Sequence, residues 1–208
     1  MVLNLPETKG PYNLSEGSVL VNGARYTVDT AIKSRLVRKI AEERMEKFTE
    51  QRGGFVILRS QSTNSIRGIG GSPYPTDKLN RTIISASLSA AMGNGRYVAI
   101  SDSELDELDV NVHAVYAINS LKGKSENEIL DEIRIGETGV TIKYGFHGST
   151  LLPYVPIEED WDSNTFLENL CVDAGLSKTA WKNSSADLSV FNTQLFREES
   201  PRGKITEA

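Results

Sequence analysis

The chain contains 208 residues, of which 38% are hydrophobic and 25% charged, and its formal net charge is −5. This composition is typical of a folded globular protein and excludes a disordered or a fibrous chain. The negative charge argues against a general nucleic-acid binder, because such proteins use an excess of Lys and Arg to displace counterions from phosphates. We therefore do not expect nucleic acid as a partner.

The sequence shows no membrane or targeting signal. No apolar run approaches the roughly 18 residues that a membrane helix needs, and the N-terminus lacks the basic-then-apolar order of a signal peptide. We expect a cytoplasmic protein without a membrane partner. The single cysteine, Cys171, excludes an internal disulfide and a cysteine-based metal cluster. We expect no bound metal and no cofactor.

The first quarter of the chain has the periodicity of helices. Apolar residues recur at helical spacing from Leu20 to Ile32, and Ser15 followed by Glu16 predicts the helix start. The segment 35–52 keeps this pattern with a more charged face, either as the same helix or as a second one. Because Glu residues interleave with its Lys and Arg residues, we interpret that face as solvated.

A strand pair and a helix are predicted next. Residues 55–60 and 66–71 predict two strands around a short turn. The helix begins at Thr76 or Asp77. It is rich in Ser and Ala between positions 85 and 91, which would let it lie close against a sheet.

The Gly-Asn-Gly sequence at 93–95 predicts the end of this helix. Ser101 and Glu104 then have the spacing of a capping box for a short acidic helix. The even-numbered residues of 110–118 are all apolar and alternate with a mixed set of side chains. This period of two predicts the clearest strand of the chain.

The second half predicts a small helix, a meander of short strands, a capped helix and a last strand. The helix is expected at 125–132, and the meander at 133–136, 140–144 and 150–155. Asp162 or Ser163 caps the second helix, and residues 188–196 form the last strand. The polar tail from Glu199 is expected to be mobile.

Standard catalytic motifs are missing from the sequence. It contains no P-loop, no G-x-S-x-G elbow, no H-E-x-x-H and no EF-hand spacing, and Pro73 stands where a dinucleotide fingerprint needs glycine. We interpret His113 as a structural residue on a half-exposed strand. We interpret His147 as a turn residue rather than a base.

A dense acidic group lies at Glu158, Glu159, Asp160 and Asp162. Carboxylates at this spacing can bind a divalent ion or serve as a general acid and base. They also suit the N-terminus of the following helix, where negative charge meets the positive end of the helix dipole. We favour the capping role. Cys171 falls on the apolar stripe of that helix, and we interpret it as a packing residue.

The stretch 66–71 is the strongest candidate for a site, because it places Arg67 among three glycines directly after a predicted strand. Glycine lets a ligand or a second layer of structure come close to the backbone. Arginine adds a permanent charge beside exposed amide groups.

The order of several motifs resembles the AMMECR-one family. The family signature L-R-G-C-I-G is similar to Ile66-Arg67-Gly68-Ile69-Gly70-Gly71, and its D-P-R-F element is similar to Asn94-Gly95-Arg96-Tyr97. Further similar elements follow in the same order, at Glu104-Leu105, 135–139, 151–155, Trp161-Asp162, Phe166-Leu167, Cys171, 174–176 and Trp181. Together they cover nearly the whole chain.

The resemblance implies an α+β fold of two lobes, each an antiparallel β-sheet flanked by helices, with a cleft between them. We assign residues 1–121 and 187–208 to a large lobe that carries both termini, and residues 122–186 to a small lobe. The signature is expected to face the cleft. The family has no established reaction, so whether the chain is an enzyme stays open.

The departures from the family pattern concern its most reactive side chains. Ile69 stands where the family has cysteine, and Asn94 and Gly95 stand where it has aspartate and proline. Isoleucine cannot act as a nucleophile, acid, base or metal ligand. Any chemistry at this place must therefore proceed without a thiol.

Two function classes remain open. In the first, the cleft binds a small molecule or acts as an enzyme, with Arg67 as the anion anchor and no catalytic residue assigned. The substrate-binding residues are then Arg67, Gly68, Ile69, Gly70, Gly71 and Arg96. In the second, a non-catalytic module holds a protein or peptide in the same cleft. Structurally, Arg67 could instead pair with a carboxylate and bridge the lobes, with the glycines allowing close packing.

Overall fold

The computed structural model describes residues 10–33 and 38–208. These residues form two compact units, each defined by the contacts within it. We call residues 10–115 and 194–208 the terminal unit, and residues 116–193 the central unit. The lobe boundaries and the cleft that the sequence predicts stay predictions.

The terminal unit combines helices with antiparallel strands. Its elements are α1 (Leu14–Lys33), α2 (Arg38–Arg44), β1 (Gly54–Ser60), β2 (Ile66–Ser72), α3 (Leu79–Met92), a 3₁₀ helix (Asp102–Glu107), most of β3 (Leu108–Ser120), the end of β6 (Asp187–Glu198) and β7 (Ile205–Glu207). Strand β1 pairs antiparallel with both β2 and β3, and β6 pairs antiparallel with β7. The strands at 55–60 and 66–71 are therefore confirmed.

The core of the terminal unit lies between α1, α3 and one face of the strands. Side chains alternate along a strand, so Val56 and Leu58 face this core together with Val110 and Val112 of β3. Burial of these apolar side chains is the main source of stability, at roughly 25 cal/mol for each Å² removed from water.

Helix α1 begins at Leu14, two residues before the predicted start. The Asn13 side chain accepts a hydrogen bond from the Glu16 N–H at 3.0 Å, and Glu16 accepts one from the Asn13 N–H at 2.9 Å. This reciprocal pair satisfies amide groups that have no intrahelical partner. Asn13, rather than Ser15, is therefore the cap.

The second helix is shorter than the segment 35–52 predicts. Residues 34–37 lie outside the described residues, and α2 ends at Arg44. Beyond it, Met45 N–H donates to the Glu42 carbonyl at 3.1 Å, and Phe48 N–H to the Met45 carbonyl at 3.1 Å. These tight turns replace the helix, and Met45 and Phe48 within them are buried.

A buried ion pair joins α1 to β6. Arg25 Nε donates to Glu198 Oε1 at 3.0 Å, and both side chains are buried. Arg25 also donates to the carbonyls of Leu105 and Leu108, and Glu198 accepts from the Val110 N–H. The pair is therefore surrounded by backbone partners, as a buried charge requires.

The polar tail is ordered, contrary to the prediction from Glu199 onward. Glu199 N–H donates to the Lys204 carbonyl at 2.9 Å, and β7 then returns along β6. Arg202 donates to Asp29 at 2.6 Å and to Asp106 at 3.0 Å. These ion pairs to residues far away in the sequence hold the turn. A local pattern of polar residues does not reveal them.

The central unit is built on β4 (Thr138–Tyr144), which pairs antiparallel with β5 (His147–Leu151) and with β6. Its helices are α4 (Glu126–Asp131), α5 (Val155–Glu158), α6 (Ser163–Asp173) and a 3₁₀ turn (Ala180–Lys182). A core of buried side chains from α6 and β4 includes Phe166, Leu170 and Val140.

Two strand predictions for this unit were wrong. No strand forms at 133–136, because residues 135–137 are a turn in which Gly136 has φ +86°, and the Thr138 N–H donates to the Arg134 carbonyl. The segment 150–155 is strand only to Leu151, and α5 begins at Val155 with Pro156 in its first turn. Proline has no N–H to contribute to a strand ladder.

None of the helices in the described part of the chain is long and apolar enough to cross a membrane.

Candidate functional site

The signature forms β2, a strand at one end of its sheet with β1 as its neighbour. The register pairs Leu58 with Gly68, Val56 with Gly70 and Ile57 with Ile69. Gly68 and Gly70 therefore lie on the face toward α3, whereas Ile69 lies on the opposite face.

The two glycines on the α3 face are required by packing. A Cβ atom at Gly68 would lie 2.2 Å from the Ala90 carbonyl oxygen, and one at Gly70 would lie 2.3 Å from the Ala86 carbonyl oxygen. Backbone cannot move aside as a flexible side chain can. Helix α3 thus packs directly on the main chain of β2, as its many small residues predict.

Arg67 holds the loop that follows α3. Its Nη1 donates to the Val98 carbonyl at 2.8 Å and its Nη2 to the Ala99 carbonyl at 3.1 Å. Its Nε donates to Glu104 Oε1 at 2.6 Å, and Nη2 lies 3.3 Å from Glu104 Oε2. Most donors of the guanidinium are therefore occupied within the terminal unit.

Glu104 serves two partners at once. Its carboxylate accepts from Arg67, and its Oε2 also accepts from the Ser101 N–H at 2.8 Å and from the Ser101 hydroxyl at 2.7 Å. The hydrogen bonds from Arg67 and then Ser101 lower the pKa of Glu104 to about 2. The predicted capping box is confirmed, and its carboxylate is also the counter-ion of the signature arginine.

The loop 93–99 lies beside β2. Asn94 Nδ2 donates to the Ile69 carbonyl, so the positions of two departures from the family pattern are in direct contact. Gly93 and Gly95 have φ of +82° and +73°, in the left-handed region that favours glycine. Arg96 is exposed, and Val98 is 74% exposed.

The face of β2 that carries Ile69 continues across β1 and β3. Ile69 pairs with Ile57, which pairs with Asn111, and His113 lies two residues further along β3 on the same face. His113 is 3% exposed, so its assignment to a half-exposed position was wrong. Burial, with a smaller effect of Arg59, lowers the pKa of His113 to about 3 and keeps the ring neutral near pH 7.

The remaining candidates are structural in the described geometry. Asp162 accepts from the Thr165 N–H at 2.7 Å at the start of α6, and the hydrogen bonds to Thr165 lower the pKa of Asp162. Cys171 is buried in the central core, and burial raises the pKa of its thiol. His147, interpreted as a turn residue, instead begins β5, and its Nδ1 lies 3.0 Å from the Ala174 carbonyl oxygen at the end of α6.

The predicted site residues fall into two groups according to what they contact. Arg67 and Ile69 both contact the loop that carries Arg96, whereas Gly68 and Gly70 face α3. Sequence reasoning missed the contribution of Val98 and the contact of Asn94. Among the described residues, no group of three or more His, Cys, Asp or Glu side chains could hold a metal ion.

These features define an α+β protein with antiparallel strands flanked by helices, whose candidate site is a glycine-rich strand with a paired arginine. The family model AMMECR1 matches residues 21–196. The chain belongs to the AMMECR1 family, which confirms the resemblance drawn from its motifs.

Relatives match over almost their whole length. The chain is similar to Protein MK0488 of Methanopyrus kandleri, with 34% identity over 196 residues that cover 93% of this chain and 94% of the relative. It is similar to Protein MJ0810 of Methanocaldococcus jannaschii, with 32% identity and coverage of 93% and 96%. The crystal structure of Uncharacterized Protein PH0010 from Pyrococcus horikoshii matches with a TM-score of 0.87, 28% identity and coverage of 94% and 98%.

Proposed function

We propose that this chain is a non-catalytic binding module that holds a protein or peptide partner against the loop 93–99 beside β2. The supporting observation is the geometry at Val98. Arg67 donates a hydrogen bond to its carbonyl at 2.8 Å, while the residue is 74% exposed. A fixed backbone that presents an apolar side chain reduces the ordering cost of association.

The surroundings of Val98 suit such a partner. Met92, at the end of α3, is 51% exposed, and Arg96 is exposed on the same loop. Met and Arg are enriched at protein interfaces, where they combine apolar contact with adaptable hydrogen bonding. Tyr97, on the same loop, is half-buried.

The occupied state of Arg67 favours this role over catalysis. Its guanidinium is paired with one carboxylate and two carbonyls, so it acts on the loop rather than toward solvent. Ile69 supplies no reactive group at the signature. A surface that binds a partner needs neither an unpaired guanidinium at Arg67 nor a reactive side chain at Ile69.

A second candidate is a small anionic ligand at Arg67, the role proposed from the sequence with Arg96 as a second charge. The observation that favours it is the partial exposure of the Arg67 side chain, 24%. The ligand would have to compete with the Glu104 carboxylate for the guanidinium. In this site Gly68, Gly70 and Gly71 would contribute only by supporting the backbone beside the ligand.

Site-specific photo-cross-linking tests the main proposal. A benzophenone amino acid at position 98 should capture a defined partner in cells, whereas the same group at Val172 should not. Val172 is a matched control because it is 49% exposed on α6. The Val98→Asp variant should weaken binding of the captured partner at least about tenfold, or roughly 1.4 kcal/mol. Equal loss in Val98→Asp and Val172→Asp would contradict the proposal.

The Arg67→Lys variant separates the two candidates. Lysine keeps the charge but cannot bind a carboxylate and two carbonyls in the fork geometry of arginine. If Arg67 holds the loop, partner binding falls in Arg67→Lys as it does in Arg67→Ala. If Arg67 anchors an anion, Arg67→Lys retains the response to inorganic phosphate, measured as amide chemical-shift changes, and Arg67→Ala loses it.

A further inference from the structure

Two Asn-Gly pairs occur in the chain, Asn22-Gly23 and Asn94-Gly95. In such a pair the backbone nitrogen of the glycine can attack the side-chain carbonyl carbon of the asparagine. Glycine favours this reaction because it has no Cβ to hinder the approach and because its backbone reaches many conformations. The surroundings of each pair decide whether the reaction takes place.

Asn94-Gly95 lies where the reaction is permitted. Asn94 and Gly95 are both exposed, and nothing lies within 4 Å of a Cβ atom built on Gly95. With the described residues, the Gly95 N–H makes no hydrogen bond, so its nitrogen is not committed to a secondary-structure ladder. The pair lies in the loop between α3 and the 3₁₀ helix, outside both elements.

Asn22-Gly23 lies where the reaction is blocked. Both residues are inside α1, in which each N–H is bonded to the carbonyl four residues before it. A Cβ atom at Gly23 would lie 2.4 Å from Met45 Sδ, so this part of the helix is packed against the core. The same dipeptide therefore supplies an internal control.

We propose that Asn94 is a site of spontaneous deamidation that releases the loop 93–99 from the edge of β2. The Gly95 nitrogen loses its proton and bonds to Asn94 Cγ, the Cγ–Nδ2 bond breaks, and ammonia leaves. Water then opens the cyclic imide to aspartate or isoaspartate. Water is the only co-reactant, and no oxidant or reductant takes part.

The modification removes one of the contacts that hold the loop. Asn94 Nδ2 donates to the Ile69 carbonyl, and the acid that replaces the amide has no N–H to donate. A carboxylate oxygen would then face a carbonyl oxygen, which is repulsive. The hold of Arg67 on Val98 and Ala99 remains, so the loop loosens at its Ile69 end.

Peptide mapping of the aged full-length chain tests the first step. After incubation at mildly alkaline pH, the tryptic peptide 82–96 should gain the acid forms of Asn94 at least roughly tenfold faster than the peptide containing Asn22. Each factor of ten corresponds to about 1.4 kcal/mol for opening the helix. Isoaspartate is identified by methylation with an isoaspartyl methyltransferase. Equal rates in the two peptides, or an unmodified Asn94, would overturn the proposal.

Hydrogen exchange tests the second step. The Asn94→Asp variant, which carries one product, should raise amide exchange at Ile69 and in the loop, as should the aged wild-type chain. Asn94→Gln keeps an amide donor and forms an imide far more slowly, so it is the matched control and should remain unchanged on ageing. If the aged chain contains acid at position 94 but exchanges like fresh protein, the loop is not released.

Discussion

Two arginine–glutamate pairs in the terminal unit make nearly the same contacts in different surroundings. Arg25 binds Glu198 and two backbone carbonyls, and Arg67 binds Glu104 and two backbone carbonyls. The first pair is 7% and 3% exposed, and the second is 24% and 31% exposed. The difference is therefore one of solvent access rather than of hydrogen-bond pattern.

Solvent access decides what each pair can do. Burial of Arg25 and Glu198 removes both charges from water, so neither tolerates the loss of its partner. Arg67 and Glu104 can be rehydrated when the pair opens, at a cost closer to that of a surface interaction. The buried pair is thus suited to fixing the core, and the half-exposed pair to holding a surface loop.

The largest effect is expected from breaking the buried pair. Glu198→Leu leaves the Arg25 charge buried without its carboxylate and should lower the free energy of unfolding by about 3–5 kcal/mol. Urea denaturation measures this change. The double variant Arg25→Met with Glu198→Leu removes both charges and should lose less than the single variant. A double variant that loses the sum of the two single effects would contradict this explanation.

A smaller effect is expected from the half-exposed pair. Arg67→Ala should lower the free energy of unfolding by only about 1–2 kcal/mol, because water replaces part of the lost interactions. Hydrogen exchange should increase mainly in residues 93–99, whereas β1 and β3 remain protected. Unchanged exchange in the loop would show that Arg67 does not hold it.

The contribution of the half-exposed pair to stability depends on pH in the acid range, through Glu104. Its pKa is lowered from 4.5 to about 2, first by the hydrogen bond from Arg67, so the folded state favours the carboxylate. This contribution is fully present above pH 4.5 and is lost as the pH falls toward about 2. The protection factors of the loop amides, which correct for the pH dependence of intrinsic exchange, should fall over that range in the wild type and be low and flat in Glu104→Gln.

His113 contributes in an overlapping range and provides the control. Its pKa is lowered from 6.5 to about 3, mainly by burial, so the unfolded chain binds a proton that the folded chain excludes. Stability from this source falls as the pH drops from 6.5 toward about 3. His113→Leu should remove that part of the pH dependence and leave the Glu104 part unchanged.

The smallest effect is expected from salt. At about 1 M salt, where the Debye length is roughly 3 Å, the coupling energy between Arg67 and Glu104 should weaken because solvent reaches the pair. The coupling between Arg25 and Glu198 should change less. Double-variant cycles at low and high salt measure both, and equal salt dependence would remove the distinction between the pairs.

Most elements of the fold could be predicted from local pattern. The hairpin β1–β2, the helix α3 with its small residues, the capping box at Ser101 and the cap at Asp162 each follow from residues close together in the chain. The failures depended on distant partners. The turn at Ser200–Gly203 is held by Arg202 through Asp29, which lies far away in the sequence.

The candidate site was located but only partly explained by the sequence. The pattern identified Arg67 and Glu104 separately and left Arg67 open between a ligand anchor and a structural pair. Its pairing with Glu104 and the loop carbonyls requires the fold, because residues 67 and 104 are joined only after α3 returns the chain to β2. The exposure of Val98 likewise cannot be inferred from an apolar residue in a short segment.

The contact of Gly68 with α3 gives a physical reason for the glycine that this chain shares with the family signature. A side chain at this position would collide with the Ala90 carbonyl oxygen of α3, so the glycine sets how closely the helix can approach the strand. Ile69 lies on the opposite face of β2, so a change of side chain there leaves this spacing intact. In this chain the Gly68 position of the signature therefore specifies helix–strand packing rather than a reaction.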